Sequence, residues 1–179
     1  MKLNNQLTQV AIKFGLLGAL MNVIAILVLF YIGKHPLLLN PFLDARWPLY
    51  GLFIFFSLYF FREENNGIMH LWQGLLLGFL VYLIMAQMAA AFIAVFGAID
   101  STQFLSTYIS VAIEQITNNR EALIESNIDE KTLTDALNIL PTTTSNNLAF
   151  DYFLKSMPIG LFLTVILSVL FRNKLGTNQ

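Results

Sequence analysis

The sequence contains no cysteine and few charged residues, and each shortage excludes a class of protein. Without cysteine, the chain cannot form a disulfide framework, a thiolate metal site or a cysteine nucleophile. Only 12% of its 179 residues are charged and the net charge is −1, so no basic surface for nucleic acid is expected. It also lacks the glycine-rich loop that binds nucleotide phosphates. We therefore predict no cofactor and no nucleic-acid partner.

Apolar residues are abundant instead. They make up 56% of the chain, and the mean hydropathy is +0.66. A single soluble core cannot bury that much apolar surface, so the lipid bilayer is expected to cover the remainder. The N-terminal apolar run continues to Ile32 without an Ala-x-Ala-like cleavage site, which favours a retained span over a signal peptide.

Four apolar segments can each form a helix that is long enough to cross a hydrocarbon layer about 30 Å thick. The second reaches this length only if its helix begins at Asn40-Pro41, an N-cap followed by proline, with Pro48 bending its first turns. In the fourth, Pro158 predicts a kink within one long helix. We predict an all-α fold, an integral membrane four-helix bundle forming a single membrane domain over residues 1–179, with spans at about 10–32, 41–61, 70–97 and 148–171.

The polar loop between spans three and four, residues 100–147, has the pattern of two amphipathic helices. Asp100 with Gln103 forms a plausible capping box for the first helix, which is apolar at helical spacing to about residue 126. Asn127 with Glu130 does the same for a shorter second helix. These helices would cap the bundle, lie on the lipid surface, or present a face to a partner.

The charge of this loop argues against the lipid surface. Eight acidic residues lie between positions 100 and 151, against two basic ones in the body of the loop, Arg120 and Lys131. Helices that lie on a membrane surface favour a basic polar face. A cap over the bundle or a partner-binding face is therefore favoured.

Orientation follows from the distribution of lysine and arginine. With four spans, each side of the membrane carries five basic residues. When the count is restricted to positions near helix ends, Arg120 and Lys131 drop out, which leaves five against three. This predicts a multi-pass protein of the bacterial inner membrane with cytoplasmic termini and a periplasmic loop at 100–147.

Small residues predict which helices pack together. In a bilayer, a stripe of small side chains allows another backbone to approach closely. Span three carries such a stripe, and span one has a seam that would pair with it. The predicted packing residues are Gly74, Gly78, Ala86, Ala90 and Ala94 on span three, and Gly15 and Gly18 on span one.

Two amides lie within the predicted spans. Asn22 and Gln87 each need a hydrogen-bond partner in hydrocarbon, and a bond between them would satisfy both. The alternative is that they line a polar path for a substrate. No Asp, Glu, Lys or Arg lies in the middle of any span, which argues against an ion-coupled transporter.

The stretch FREENNGIMHLWQG, residues 61–74, gathers the residues that most resemble an active site. Glu63 or Glu64 with His70 could in principle perform acid–base chemistry or bind a metal. A metal site would be incomplete, because the other histidine, His35, is predicted on the opposite side of the membrane. No nucleophile accompanies the set, so no catalytic or metal residue is predicted.

A structural interpretation accounts for the same stretch. Arg62 would anchor at the lipid headgroups, Asn65-Asn66-Gly67 would supply left-handed turn conformations, and Trp72 would lie in the interfacial aromatic belt. This predicts a cytoplasmic turn between spans two and three. If a cytoplasmic partner binds here, its contacts are expected at Arg62, Glu63, Glu64 and His70.

The order of these segments resembles a known family. A first span with GLLGAL, a second ending in YFFREENNG, a third opening with HLWQGLLLG, an acidic helical loop and a last span are similar to the small four-span membrane proteins of Bacteroidota grouped as domain of unknown function 4199. The resemblance implies an inner-membrane location and four helices. It implies no activity.

Two functional hypotheses follow. The first is a non-enzymatic accessory or scaffold subunit that presents its acidic loop and the 62–67 turn to a membrane partner or to another copy of itself. The alternative is a small transport or lipid-handling protein with a path lined by Asn22, Gln87, Ser57 and Tyr82. A membrane enzyme acting at His70 with Glu63 or Glu64 ranks third.

Overall fold

The computed structural model describes residues 2–39, 44–99 and 102–173, with side chains from residue 5 onward. Within these ranges the protein is all-α and contains no strand. The helices are α1 (Lys2–Tyr31), α2 (Arg46–Glu64), α3 (Leu71–Gly97), α4 (Phe104–Asn118), α5 (Arg120–Glu125), α6 (Glu130–Ile139) and α7 (Ser145–Phe171), with a short 3₁₀ helix at Leu140–Thr142 after α6.

Three of these helices are long and apolar enough to cross a membrane. The candidate spans are Asn5–Tyr31, Leu71–Gly97 and Ser145–Phe171. Each has 27 residues, which corresponds to about 40 Å of helix. Many large apolar side chains on these helices are exposed, including Leu20, Val95 and Leu170. The length and apolar surface of the three helices indicate a membrane-embedded protein.

α2 differs from its predicted form. It is long enough at 19 residues but less apolar than the three candidate spans and charged at both ends, and it begins at Arg46 rather than at Pro41. Residues 40–43 lie outside the described ranges, but Asp44 and Ala45 are not helical. Pro48 therefore belongs to the first turn of α2, where its missing N–H costs no intrahelical hydrogen bond.

The chain divides into two compact units. The first consists of residues 1–25, 45–89 and 152–179. Its core combines side chains of α1, α2, α3 and α7. On α2 the fully buried positions Tyr50, Ile54, Leu58 and Phe61 recur at helical spacing. α7 is one continuous helix with Pro158 inside it.

The second unit consists of residues 26–44 and 90–151. It contains three helices between α3 and α7, where the sequence predicted two. The first predicted helix is interrupted at Asn119, whose φ of −104° departs from helical geometry. The side-chain amide of Asn119 donates to the Gln115 carbonyl at 2.8 Å, which satisfies a carbonyl at the end of α4.

The predicted caps of these helices also differ. Asp100 lies outside the described residues. Gln103 occupies the N-cap position of α4 with a left-handed backbone and makes no side-chain capping bond. The N-cap of α6 is Asp129 rather than Asn127, because Asn127 has φ of 66° and ends the preceding turn. The capping pattern therefore predicted the existence of α6 correctly, but it placed the N-cap two positions too early.

Aromatic rings form the centre of the second unit. Phe30 contacts Phe96 and Phe104, with ring centroids 5.9 and 5.2 Å apart. His35 lies against Phe104 at 4.6 Å and against Tyr108 at 5.3 Å. The loop after α1 is thereby packed onto the start of α4.

Candidate functional site

A buried polar cluster lies in the first unit. Asn22 on α1 is 1% exposed, and its amide donates a hydrogen bond to the Tyr152 hydroxyl at 2.8 Å. Ser156 donates to the Tyr152 carbonyl at 2.7 Å. Arg46 reaches both the Tyr152 carbonyl and Ser156 at 3.4 Å, with its guanidinium 4.9 Å from the Tyr152 ring. The polar groups of α1, α2 and α7 thus bind one another.

Gln87 is not part of this cluster, so the expected pair of Asn22 with Gln87 is wrong. Asn22 is bonded to Tyr152, whereas Gln87 is exposed. The reason lies in helical geometry: Ala86 is fully buried, and the next residue points about 100° away from it. The sequence missed Tyr152 and Ser156, although a tyrosine and a serine four residues apart near the predicted start of the last span are a readable signal.

The other residues of the predicted path have local partners. Ser57 is buried and donates to the Ile54 carbonyl of its own helix at 2.7 Å. Tyr82 is 1% exposed, and its ring packs so closely on Gly160 that a Cβ there would overlap it. Ser57 and Tyr82 therefore occupy packed positions.

The glycines of α1 face α3. A Cβ on Gly15 would lie 2.9 Å from Ile84, and one on Gly18 would lie 2.6 Å from the sulfur of Met85. Contacts this short leave no room for a side chain. α1 and α3 therefore approach closely at Gly15 and Gly18.

The glycines of α3 face α7 and not α1. A Cβ on Gly74 would lie 3.0 Å from Ser168, and one on Gly78 would lie 2.8 Å from Thr164. Further along the predicted stripe Ala86 is fully buried, whereas Ala90 and Ala94 are partly exposed. The predicted pairing of α1 with α3 is therefore found, but α3 meets the α1 glycines through Ile84 and Met85 and presents its own glycines to α7.

Hydrogen bonds hold the segment that joins α2 to α3, residues 62–70, which we call the 62–70 turn. Arg62 donates to the Gly67 carbonyl at 3.0 Å. Glu63 accepts from Tyr59, and Glu64 accepts from Gln6. His70 is exposed, and its backbone N–H donates to the Gln73 side chain at 2.8 Å, so Gln73 caps α3. The side chains of Arg62, Glu63 and Glu64 thus each have a hydrogen-bond partner within the chain, and His70 is bonded through its backbone N–H.

Asn173, just after α7, was not singled out from the sequence, yet it binds this turn. Its side-chain carbonyl accepts from the Met69 N–H at 2.6 Å, and its amide donates to the Gly67 carbonyl at 3.1 Å. The Asn173 N–H also donates to the Met69 carbonyl. The end of α7 is therefore tied to the turn between α2 and α3. An asparagine after a predicted span gives no local sign of this contact.

A large apolar groove lies in the second unit, and we call it the α4–α6 groove. Its volume is about 670 Å³. α4 lines one side, α6 and the residues that follow it line the other, and Leu38 and Leu123 also contribute. It is lined by Leu38, Tyr108, Ala112, Gln115, Ile116, Asn119, Leu123, Ala136, Ile139, Leu140 and Thr143. The sequence predicted the two amphipathic faces, but their junction into one groove depends on tertiary packing.

His35 lies close to the groove, because Tyr108 contacts its ring and also lines the groove wall. The imidazole is 6% exposed. Its Nε2 donates to the Phe104 carbonyl at 3.2 Å, while Nδ1 accepts from the Leu37 N–H at 3.4 Å. Burial lowers the pKa of His35 to about 4 despite the opposing effect of the Phe104 carbonyl.

Across the described part of the chain, no group of three or more histidine, aspartate or glutamate side chains could hold a metal ion.

A protein-family model described as "Protein of unknown function (DUF4199)" matches residues 13–173 of the chain. This range includes the second and third candidate spans, residues 13–31 of the first, the polar cluster and the α4–α6 groove. The chain matches neither a curated protein nor a solved structure.

Proposed function

Because the chain belongs to the DUF4199 family, whose description assigns no activity, we propose a function from its geometry: it is an accessory subunit that holds a membrane partner in the α4–α6 groove. It would do so as a four-span protein of the bacterial inner membrane. In this arrangement the termini and the 62–70 turn are cytoplasmic, and α4, α5 and α6 are periplasmic.

The composition of α2 supports a fourth span. Its 19 residues correspond to about 28 Å, close to the thickness of the hydrocarbon layer. Its charged residues lie at its two ends, with Arg46 at the start and Arg62, Glu63 and Glu64 at the finish. It also contributes the buried face of Tyr50, Ile54 and Leu58 to the core shared with α1, α3 and α7.

The α4–α6 groove carries the functional proposal. It is concave and mostly apolar, and its volume falls in the range typical of binding sites. Ile139 on its wall is 64% exposed, although it belongs to a helix outside the candidate spans. Lipid would not cover that side chain if α6 lies in the periplasm, so a partner surface is the better explanation.

The polar cluster supports a non-catalytic role. Asn22, Tyr152, Ser156 and Arg46 bond to one another within the first unit. A binding or transport site usually keeps polar groups available for its ligand. These groups instead contribute to the association of α1, α2 and α7.

Purification from native membranes tests the proposal. The full chain carries an affinity tag and is isolated in a mild detergent in three forms: wild type, Ile139→Lys and Ile124→Lys. Ile124 is the matched control, because it is a 42% exposed isoleucine on α5 that does not line the groove. We expect one membrane protein to accompany wild type and Ile124→Lys in fixed ratio and to be lost from Ile139→Lys.

Two results would contradict this proposal. One is a monodisperse wild-type chain without a companion. The other is a companion that Ile139→Lys retains as well as Ile124→Lys does.

A further inference from the structure

The shape of the α4–α6 groove fits an α-helix. On α4 its lining residues Tyr108, Ala112 and Ile116 recur every four residues, so they form one straight row. Ala136, Ile139 and Leu140 form the facing wall. Two apolar walls of this kind are what an amphipathic helix requires when it inserts its i, i+3, i+4 and i+7 side chains.

Polar groups accompany the apolar walls. Gln115 and Asn119 also line the groove from α4, and both are exposed. Thr143 lines it from the opposite side. Such groups can bond to the polar flank of a bound helix while its apolar side is covered.

The surroundings of the groove are acidic. From residue 104 to residue 139 the chain has six carboxylates and two basic side chains. One of the two, Arg120, is already paired with Glu130 at 2.8 Å. Asp135 is exposed and directly precedes the lining residue Ala136, whereas Glu114 lies on the face of α4 opposite the lining residues. The electrostatic potential around the groove therefore favours a cationic occupant.

This charge separates the possible occupants. An anionic phospholipid or fatty acid would bring its negative headgroup to an acidic rim. A second copy of this chain would bring the same acidic helices, so like charges would repel. A helix that is apolar on one side and basic on the other satisfies both the walls and the rim.

We propose that the α4–α6 groove binds an amphipathic helix of a partner protein, with apolar side chains in the groove and lysine or arginine facing its acidic rim. The inference rests on the proposed function and names the chemistry of the partner. Asp135 is the carboxylate expected to contact the basic flank, and Ile139 is the residue expected to contact the apolar side.

Two synthetic peptides test the inference. Each is about 18 residues long, or five helical turns, with leucine at i, i+3, i+4 and i+7; one has lysine at the polar positions and the other has glutamate. Binding to the full chain in nanodiscs of zwitterionic lipid is measured by fluorescence anisotropy, with empty nanodiscs subtracted. A photoreactive group on the apolar side of the peptide reports where it binds, by mass spectrometry.

We expect the lysine peptide to bind and to crosslink to α4 and α6. The apparent Kd should rise by about tenfold or more for Ile139→Lys and change little for Ile124→Lys. Asp135→Gln should weaken the lysine peptide and reduce its preference over the glutamate peptide. Glu114→Gln is the matched control on the opposite face of α4 and should change both little. Both carboxylates are exposed, so these changes are compatible with folding.

Three outcomes would overturn the inference. The glutamate peptide could bind as tightly as the lysine peptide, the crosslinks could map outside the groove, or a retained phospholipid could be lost selectively from Ile139→Lys in native mass spectrometry. Each would leave the groove-dependent companion of the purification experiment unaffected. The proposal of a helical partner and the proposal of an accessory role can therefore be disproved separately.

Discussion

His35 is a buried imidazole whose two ring nitrogens both have partners. Nδ1 accepts from the Leu37 N–H, so Nε2 carries the hydrogen that bonds the Phe104 carbonyl. A second proton on Nδ1 would face the Leu37 N–H and would place a charge among Phe30, Phe104 and Tyr108. The folded state therefore requires the neutral ring.

The second unit should lose stability on acidification. The pKa of His35 is about 4 in the folded protein, below its ordinary 6.5, so the unfolded chain binds more protons between these values. The free energy of unfolding should fall as the pH drops from about 6.5 to about 4, by up to about 3 kcal/mol. Hydrogen exchange of α4 amides at several pH values would measure this.

His35→Gln provides the control for this prediction. Glutamine can still donate to the Phe104 carbonyl but cannot take up a proton, so the pH dependence over this interval should become shallower. Equal slopes for both proteins would show that other groups cause the effect.

Single residues also show where sequence reasoning stops. Asn22 was identified as a buried amide in need of a partner, and the structure supplies Tyr152 from a segment 130 positions away. Asn173 binds the 62–70 turn from 104 positions away. Neither bond has a local signature, because hydrogen bonds between distant segments depend on how the helices pack.

At the scale of elements, α3 illustrates what a stripe of small residues determines. The four-residue spacing of Gly74 and Gly78 indicates a face suited to close packing. It does not specify which helix occupies that face. In the structure it is α7, through Ser168 and Thr164, while α1 packs its own glycines against Ile84 and Met85.

Two glycine-to-alanine substitutions should have opposite effects. At Gly78 a methyl group would lie 2.8 Å from the branched Thr164 side chain, so Gly78→Ala should destabilise the protein by about 1–3 kcal/mol. At Gly51 on α2 the nearest atom would be 3.9 Å away, in ordinary contact. Gly51→Ala should therefore stabilise by up to about 1 kcal/mol through helix propensity.

Thermal unfolding of both variants in one detergent checks the comparison. Loss of stability at both positions would mean that the contact at Gly78 does not determine the effect.

At the scale of the whole molecule, the number of spans determines on which side each segment lies. The proposed four spans place Lys34 and Glu125 outside and Ile68 inside. If α2 did not cross, Lys34 and Ile68 would share a side. All three residues are exposed, and the chain has no native cysteine to interfere with labelling.

Single-cysteine variants at these positions should react differently with a membrane-impermeant maleimide. In intact spheroplasts we expect labelling of Lys34→Cys and Glu125→Cys, and labelling of Ile68→Cys only after lysis. If Lys34→Cys and Ile68→Cys are equally accessible, α2 does not cross the membrane and the four-span proposal is contradicted.

The sequence by itself determined the helical class, the apolar segments that became α1, α3 and α7, and the amphipathic faces of the loop. These features follow from composition and from a period of 3.6 residues, both of which are local. Only the tertiary structure decided that Asn22 bonds Tyr152, that α3 presents its glycines to α7, and that two loop faces form one groove. Each of these features depends on which helices are neighbours. A helix face made of apolar or small residues can pack against many partners, so the local sequence does not specify which one it meets.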